Sequence, residues 1–272
     1  MSYLKKKLDK LKKYISSFDS AAVAYSGGVD SALLLKMTKN LIKKNVIAVT
    51  SFSKTFPEIL GPIKRIARKI GVRHIIIKTH ELNIPEFRRN SLLRCYYCKR
   101  ELFKKIRNIA KSYNIKYVFD GTNYDDITDT RPGSKAIKEY GVISPFLECK
   151  ITKPDIRKIS KHMKLPTWNK PQMACLSSRI PYGTPITPKI LDQIKLSERY
   201  LNKLGFNAVR VRHHNSIARI EVPKSEIKRL VSLINQQFIN YFKRLGYKYI
   251  TIDLEGYRTG SLNEKKKFQT FN

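Results

Sequence analysis

"AVAYSGGVDSALLL", residues 22–35, decides how the rest of the chain is read. The stretch "AAVAYS" (21–26) is apolar and short enough for a buried strand, and "SALLLKMTKNLIKK" (31–44) carries a helical pattern. Between them lies the turn Ser26-Gly27-Gly28-Val29-Asp30-Ser31. Two glycines allow close approach of the backbone to an anion, while Ser26, Ser31 and the free N–H groups of a helix start are donors for phosphate oxygens. The turn lacks the G-K-[ST] of a loop that grips β and γ phosphates. It is not G-x-G-x-x-G either, which argues against a dinucleotide site. A plain strand-to-helix turn capped by Ser26 or Asp30 is the structural alternative.

Working outward, "NVIAVTSF" (45–52) reads as a second strand, "FPEILGPIKRIARKIG" (56–71) as a helix and "RHIIIKTH" (73–80) as a third strand. "CKRELFKKIRNIAKSYNI" (98–115) reads as another helix and "KYVFDGT" (116–122) as a fourth strand. Strands alternating with helices of this length indicate an α/β fold with a parallel sheet covered on both faces. The pattern changes after the proline-rich "KLPTWNKPQMACLSSRIPYGTPITP" (164–188). A helix from about Pro188, strands in "NAVRVRHH" (207–214) and "IARIEV" (217–222), a long helix from Lys224 to about Leu245 and a strand in "YKYITIDL" (247–254) predict a smaller α+β domain. The boundary falls within about 165–185, with domains expected over 1–170 and 171–272. Cys175 lies in the connecting stretch, which is expected to line a cleft.

With 272 residues, 42% hydrophobic and 28% charged, the chain has enough apolar material for a large core and reads as a globular protein. No apolar run approaches the ~18 residues of a membrane helix, and "MSYLKKKLDKLKKYISSF" places Leu4, Leu8, Leu11 and Ile15 on one helical face instead of forming a signal core. A cytoplasmic location and no membrane partner are expected. The formal net charge of +34 admits a polyanionic partner, nucleic acid above all. It admits compositional drift equally, since lysine outnumbers arginine roughly two to one and no dense arginine stripe is present. The charge is therefore weak evidence for nucleic acid, and with no recognisable RNA-binding module such a partner is disfavoured.

Four cysteines, two of them in the C-x-x-C of "RCYYCK" (94–99), suggest metal or redox chemistry better than a disulfide framework. Cys95 and Cys98 precede a helix, and Cys175 lies about eighty residues on. Cys149 has no partner pattern and reads as a small core residue. The pair with Cys175 could bind zinc, with His74, His80 or His162 as a fourth ligand. Cys95 and Cys98 could also be incidental, with Cys175 acting alone.

The six residues S-G-G-V-D-S after a first apolar strand resemble the pyrophosphate-loop (PP-loop) ATPases. That resemblance implies ATP cleaved between its α and β phosphates, with a substrate oxygen taking up AMP. Asp30 and the pair Asp125-Asp126 of "DGTNYDD" then become candidates to hold Mg²⁺ on the departing pyrophosphate, though Asp125 could simply cap a loop.

"RCYYCK" together with "DGTNYDDITDTRPG" (120–133), "ACLSSRIPYG" (174–183) and "RVRHHNSIARIEV" (210–222) resembles the LarE family within that superfamily, and the likeness runs on to "DLEGYRTGSLN" (253–263). These are ATP-dependent sulfur transferases that build the nickel-pincer nucleotide cofactor. The resemblance implies a small-molecule nucleotide substrate, pyridinium-3,5-biscarboxylic acid mononucleotide; a homo-oligomer is also expected. It makes Cys175 the sulfur-handling residue, and the match at Cys95, Cys98 and Cys175 implies a 4Fe–4S cluster with one open iron. The sulfide donor stays unidentified. Members with a single cysteine sacrifice its side chain, which keeps open a sacrificial reading of Cys175. A tRNA thiolase of the same superfamily is the alternative that would use the charge.

On the substrate side, Arg210 and Arg212 alternate along a strand and would suit a phosphate. Without the resemblance they read as a solvated basic face. Arg179, four residues after Cys175, is a second candidate for an anionic group. Glu198 and Glu221 lie at family positions linked to the site, as metal ligands or proton carriers; as isolated acids they read as surface residues. Trp168 could cover a planar ring, although a core role at a domain interface fits it better.

Overall fold

The structure, a computed structural model, describes residues 3–56, 60–127, 132–171 and 174–258. It divides into two compact units, one of Met1–Ser53 with Glu58–Met173 and one of Lys54–Pro57 with Ala174–Asn272.

The first unit runs α1 (Tyr3–Ser16), β1 (Ser20–Ala24), α2 (Val29–Leu41), β2 (Asn45–Phe52), α3 (Leu60–Ile70), β3 (Arg73–Lys78), α4 (Pro85–Arg88), α5 (Arg94–Ser112), β4 (Tyr117–Phe119), α6 (Gly133–Glu139), α7 (Pro145–Glu148) and α8 (Lys153–His162). The expected parallel sheet is present, with strand order β3-β2-β1-β4 and every pairing parallel. Its central strand β1 is apolar on both faces because both faces are covered. Ala22 packs in one cluster with Phe103, Ile106 and Ala110 of α5, and the two-residue period turns Val23 to the other side, where α2 lies against β1. The first helix follows its apolar stripe, with Leu11 and Ile15 fully buried. Ile143 bridges to Phe119 in parallel and prolongs the sheet beyond β4. Helices α6 and α8 occupy stretches for which the sequence suggested no elements, and the residues before Cys149, which read as a strand or turn, form the short helix α7.

The second unit runs α9 (Pro188–Lys203), β5 (Arg210–His214), β6 (Ile217–Glu221), α10 (Ile227–Ser232), α11 (Gln236–Arg244) and β7 (Tyr249–Ile252). Strands β5 and β6 form an antiparallel hairpin turned at Asn215 (φ +55°), and β6 pairs with β7 in parallel through the helical crossover. One correction concerns the long helix expected from Lys224 to Leu245. It is broken, because Asn235 adopts an extended backbone (φ −138°, ψ 179°) and its side chain accepts a hydrogen bond from Phe238 N at 2.9 Å. That cap starts a new helix and buries Phe238 and Phe242, one turn apart, with Leu201, Phe206 and Ile220. Among the described residues no helix is long and apolar enough to cross a membrane.

Candidate active site

In the first unit the site is built on the end of β1. Tyr25 N donates to Val49 O at 2.8 Å, which ties the strand end to β2. The chain then turns at Gly27, whose φ of +77° is unfavourable for other residues. A Cβ there would also lie 2.6 Å from Ile63 Cγ1 of α3. Gly28 caps α2, so the helix starts at Val29, two residues before the expected position, and places Asp30 and Ser31 in its first turn. Ser31 Oγ accepts from Ser26 N at 3.2 Å and lies 3.1 Å from Ser26 Oγ, so the two expected phosphate donors are neighbours.

Asp30 is not alone. One carboxylate oxygen is hydrogen-bonded by Lys153 Nζ, and the other accepts from Asn123 Nδ2 at 3.5 Å. Lys153 opens α8, whose start is fixed by a capping box between Thr152 and Asp155. The backbone N of Lys153 donates to Asp125 Oδ2 at 2.7 Å, and Asp126 Oδ2 accepts from Asn123 N at 3.0 Å. Asp125 and Asp126 therefore shape the turn after β4 as well as bringing carboxylates to it. Gly121 permits the approach of this turn, since a Cβ on it would sit 3.2 Å from Ser31 N. A second lysine, Lys170, donates to Gly27 O at 3.2 Å, its own backbone carbonyl held by Arg157 at 2.9 Å. Sequence reasoning missed Lys153, Lys170 and Asn123. The T-x-x-D capping signal before α8 could have singled out Lys153; in a chain so rich in lysine nothing marked Lys170.

Cys95 lies in the first turn of α5 and Cys98 opens the second, the helix beginning at Arg94 instead of at the second cysteine. Their i,i+3 spacing puts both on one helical face. Cys95 is exposed and Cys98 half-buried. Nearby, Tyr96 donates to Glu139 Oε2 at 2.8 Å, and Lys99 Nζ lies 3.8 Å from the buried Asp120. Cys149 is 2% exposed and burial pushes its thiol up, as befits a core residue. His74 donates or accepts at Thr50 Oγ1 over 2.7 Å and is held below its ordinary value by burial, then by Lys64. Trp168 is partly exposed, with the Lys161 ammonium 4.9 Å from its ring centroid.

The second unit carries Cys175, exposed, at the head of a 3-10 turn Leu176–Arg179. Arg179 is buried and forms a double hydrogen bond with Glu198, Nε to Oε1 and Nη2 to Oε2, each at 2.9 Å. Arg212 makes the same kind of pair with Glu221 at 2.9 and 2.7 Å, and Arg219 adds a third contact to Glu221 at 3.0 Å. Glu198 and Glu221 are thus buried partners of guanidinium groups and not surface acids. Arg210 and Arg212 do lie on one face of β5, as their spacing implied. Arg210 stacks over Tyr257, 5.2 Å from its centroid, and is shifted down by burial and then by the charge of Arg179. The remaining parts of the quoted motifs, residues 128–131 and 259–263, lie outside the described residues.

Within neither unit do the described residues gather three or more His, Cys, Asp or Glu side chains around a common point. Cys95 and Cys98 supply two thiols one turn apart on an accessible helix start, and Cys175 supplies an accessible third. Thiolates are soft donors of the kind that ligate iron–sulfur clusters and zinc, and of the histidines considered as a further zinc ligand His74 is already hydrogen-bonded to Thr50.

A parallel α/β sheet whose first strand runs through S-G-G-V-D-S into a helix defines a PP-loop protein. No family model matches the chain. The chain is 34% identical over 262 residues to pyridinium-3,5-bisthiocarboxylic acid mononucleotide synthase of Lactiplantibacillus plantarum, covering 94% of this chain and 95% of that one. It is 41% identical to an uncharacterised protein of Synechocystis, over 96% of this chain and 98% of the relative. A more distant likeness, 28% over 189 residues, joins 60% of the chain to 35% of a Campylobacter hominis GMP synthase. The chain belongs to the LarE family, that of the Lactiplantibacillus synthase.

Proposed function

We propose that this chain is an ATP-dependent sulfur transferase of nickel-pincer cofactor biosynthesis, which converts a carboxylate of pyridinium-3,5-biscarboxylic acid mononucleotide into a thiocarboxylate. The observation that carries the reading is the likeness to the bisthiocarboxylic synthase over nearly the whole of both chains. The accessible cysteines and the serine–glycine loop are consistent with it.

A carboxylate is a poor electrophile, so the first step is activation. A substrate carboxylate oxygen attacks the α phosphorus of ATP, a P–O bond to the β phosphate breaks, and pyrophosphate leaves. Ser26, Gly27, Gly28 and Ser31 orient the phosphates. Asp30, with Asp125 near by, holds Mg²⁺ on the leaving group, and Lys153 neutralises the negative charge that develops there. In the second step sulfide sulfur attacks the acyl carbon and AMP departs with the C–O bond electrons. Arg210 meets the anionic substrate beside the rigid Arg212–Glu221 pair.

Cys95, Cys98 and Cys175 are the residues that would hold a 4Fe–4S cluster, and when bound its open iron supplies the sulfide. A second reading, with Cys175 giving up its own sulfur and becoming dehydroalanine, is favoured by one observation: Cys175 is exposed at the head of its turn, and this route needs no other cysteine.

The test is anaerobic incubation with ATP, Mg²⁺, sulfide and the biscarboxylate mononucleotide. AMP, pyrophosphate and thiocarboxylate are the expected products. Release of ADP and phosphate, or no thiocarboxylate with any sulfur source, would overturn the assignment.

A further inference from the structure

Arg179 is 2% exposed, an unusual place for a guanidinium. All three of its nitrogens are engaged. Nε and Nη2 hold the two oxygens of Glu198, while Nη1 donates to Ala174 O at 2.7 Å, to Cys175 O at 3.0 Å and to Ser178 Oγ at 3.1 Å. One buried cation therefore grips the carbonyl of Cys175 and the carbonyl before it, while the cysteine itself is exposed.

The grip is anchored from several elements. Glu198 stands on α9, and its Oε1 also accepts from Val211 N of β5 at 3.0 Å. Arg212, locked to Glu221, reaches from β5 to Ser178 O at 2.9 Å. On the other side Leu176 N donates to Thr55 O at 3.0 Å, using a segment that lies between β2 and α3 in sequence yet belongs to this unit. Well-packed apolar residues stabilise a core as well as a buried ion pair does, so stability alone does not explain a guanidinium here. Its distinguishing action is on the two carbonyls.

We infer that Arg179 is the positioning residue for Cys175, and not a ligand for the anionic groups of the substrate. The inference rests on the reading that Cys175 handles the sulfur. Buried behind the turn with its nitrogens engaged, Arg179 offers nothing to an incoming carboxylate or phosphate. What it does is fix the backbone from which the sulfur projects. Misplacement of a reacting group by about 1 Å costs on the order of a hundredfold in rate.

The test compares Arg179→Lys and the double variant Arg179→Met/Glu198→Gln with wild type. The double variant leaves no unpaired buried charge and keeps an acceptor for Val211 N, so it guards against simple failure to fold. Three quantities are measured: substrate-dependent pyrophosphate release, thiocarboxylate formation, and amide hydrogen exchange in the peptide covering 174–180. Positioning predicts thiocarboxylate formation reduced by about a hundredfold, faster exchange in 174–180, and a KM for the biscarboxylate mononucleotide close to wild type. A raised KM with unchanged exchange would make Arg179 a substrate ligand and overturn the inference. Equal loss of pyrophosphate release and sulfur transfer would reduce it to a general structural role and overturn it too. If wild-type protein forms no thiocarboxylate, the proposed function fails. Exchange in 174–180 then decides on its own, and unchanged protection in both variants overturns the positioning role.

Discussion

Lys153 Nζ donates to the carboxylate of Asp30, joining residues 123 positions apart at the start of two helices, α8 and α2. The pair sets a positive charge and a carboxylate side by side at the mouth of the serine–glycine loop. If Asp30 holds a divalent cation, as proposed above, that cation competes with the ammonium for the carboxylate.

Lys153→Ala is expected to lower pyrophosphate release by roughly a hundredfold, the usual effect of removing one preorganised charged donor from a transition state. Lys153→Arg should recover part of it, because charge is kept and geometry is not. Steady-state pyrophosphate release across ATP and Mg²⁺ concentrations measures both. Full activity in Lys153→Ala would show that the lysine merely neutralises Asp30.

The two loop glycines should separate folding from binding. Gly27→Ala forces a side chain into a left-handed backbone and against Ile63, and should cost about 1–3 kcal/mol in urea unfolding. A Cβ at Gly28 meets only Ser26 Oγ at 3.4 Å, an ordinary contact. Gly28→Ala should therefore unfold like wild type, and Gly28→Val should bind ATP poorly because the side chain occupies the phosphate approach. Normal ATP affinity in Gly28→Val would remove the loop from the nucleotide site.

The cysteines make opposite predictions for the two sulfur sources. With a cluster on Cys95, Cys98 and Cys175, anaerobic protein contains about four irons per chain, and alanine at any of the three lowers iron content and turnover together. With sacrificial transfer only Cys175→Ala matters, and mass spectrometry finds dehydroalanine at 175 after one turnover. Cys149→Ser should leave iron content unchanged, since Cys149 is a core residue.

Acid should weaken the first unit through His74. Burial, and then Lys64, lower its pKa from the ordinary 6.5, so below that value the unfolded chain binds the proton more readily than the folded one. The contribution is present above about pH 6.5 and is lost as pH falls through the folded value, with a slope of up to about 1.4 kcal/mol per pH unit for one proton. His74→Gln keeps a donor for Thr50 without the titration and should flatten unfolding free energy between pH 7 and 5. An unchanged slope in that variant would assign the dependence to other groups.

How much of this was legible beforehand depends on the range of the interactions. Ala21–Ala24 followed by two glycines specified a buried strand and a close turn by local chemistry, and the helix–strand alternation from Ser31 to Phe119 followed from residue periodicity. The break at Asn235 escaped because an N-cap inside an otherwise continuous apolar pattern competes with the helix, and burial of Phe238 and Phe242 decides between them.

By itself, then, the sequence determined the parallel α/β class and the strand–glycine turn–helix at residues 21–41, since these depend on neighbours within a few positions. Only the tertiary structure decided which charges meet. It set Lys153 and Asn123 on Asp30, Glu198 on Arg179 and Glu221 on Arg212, and it placed Thr55 in the second unit beside Leu176. Those choices were hidden because lysine and arginine occur throughout the chain. A cation's partner is chosen by distances in the folded state, and an arginine that reads as a surface ligand in one dimension becomes, once buried against a carboxylate, part of the frame.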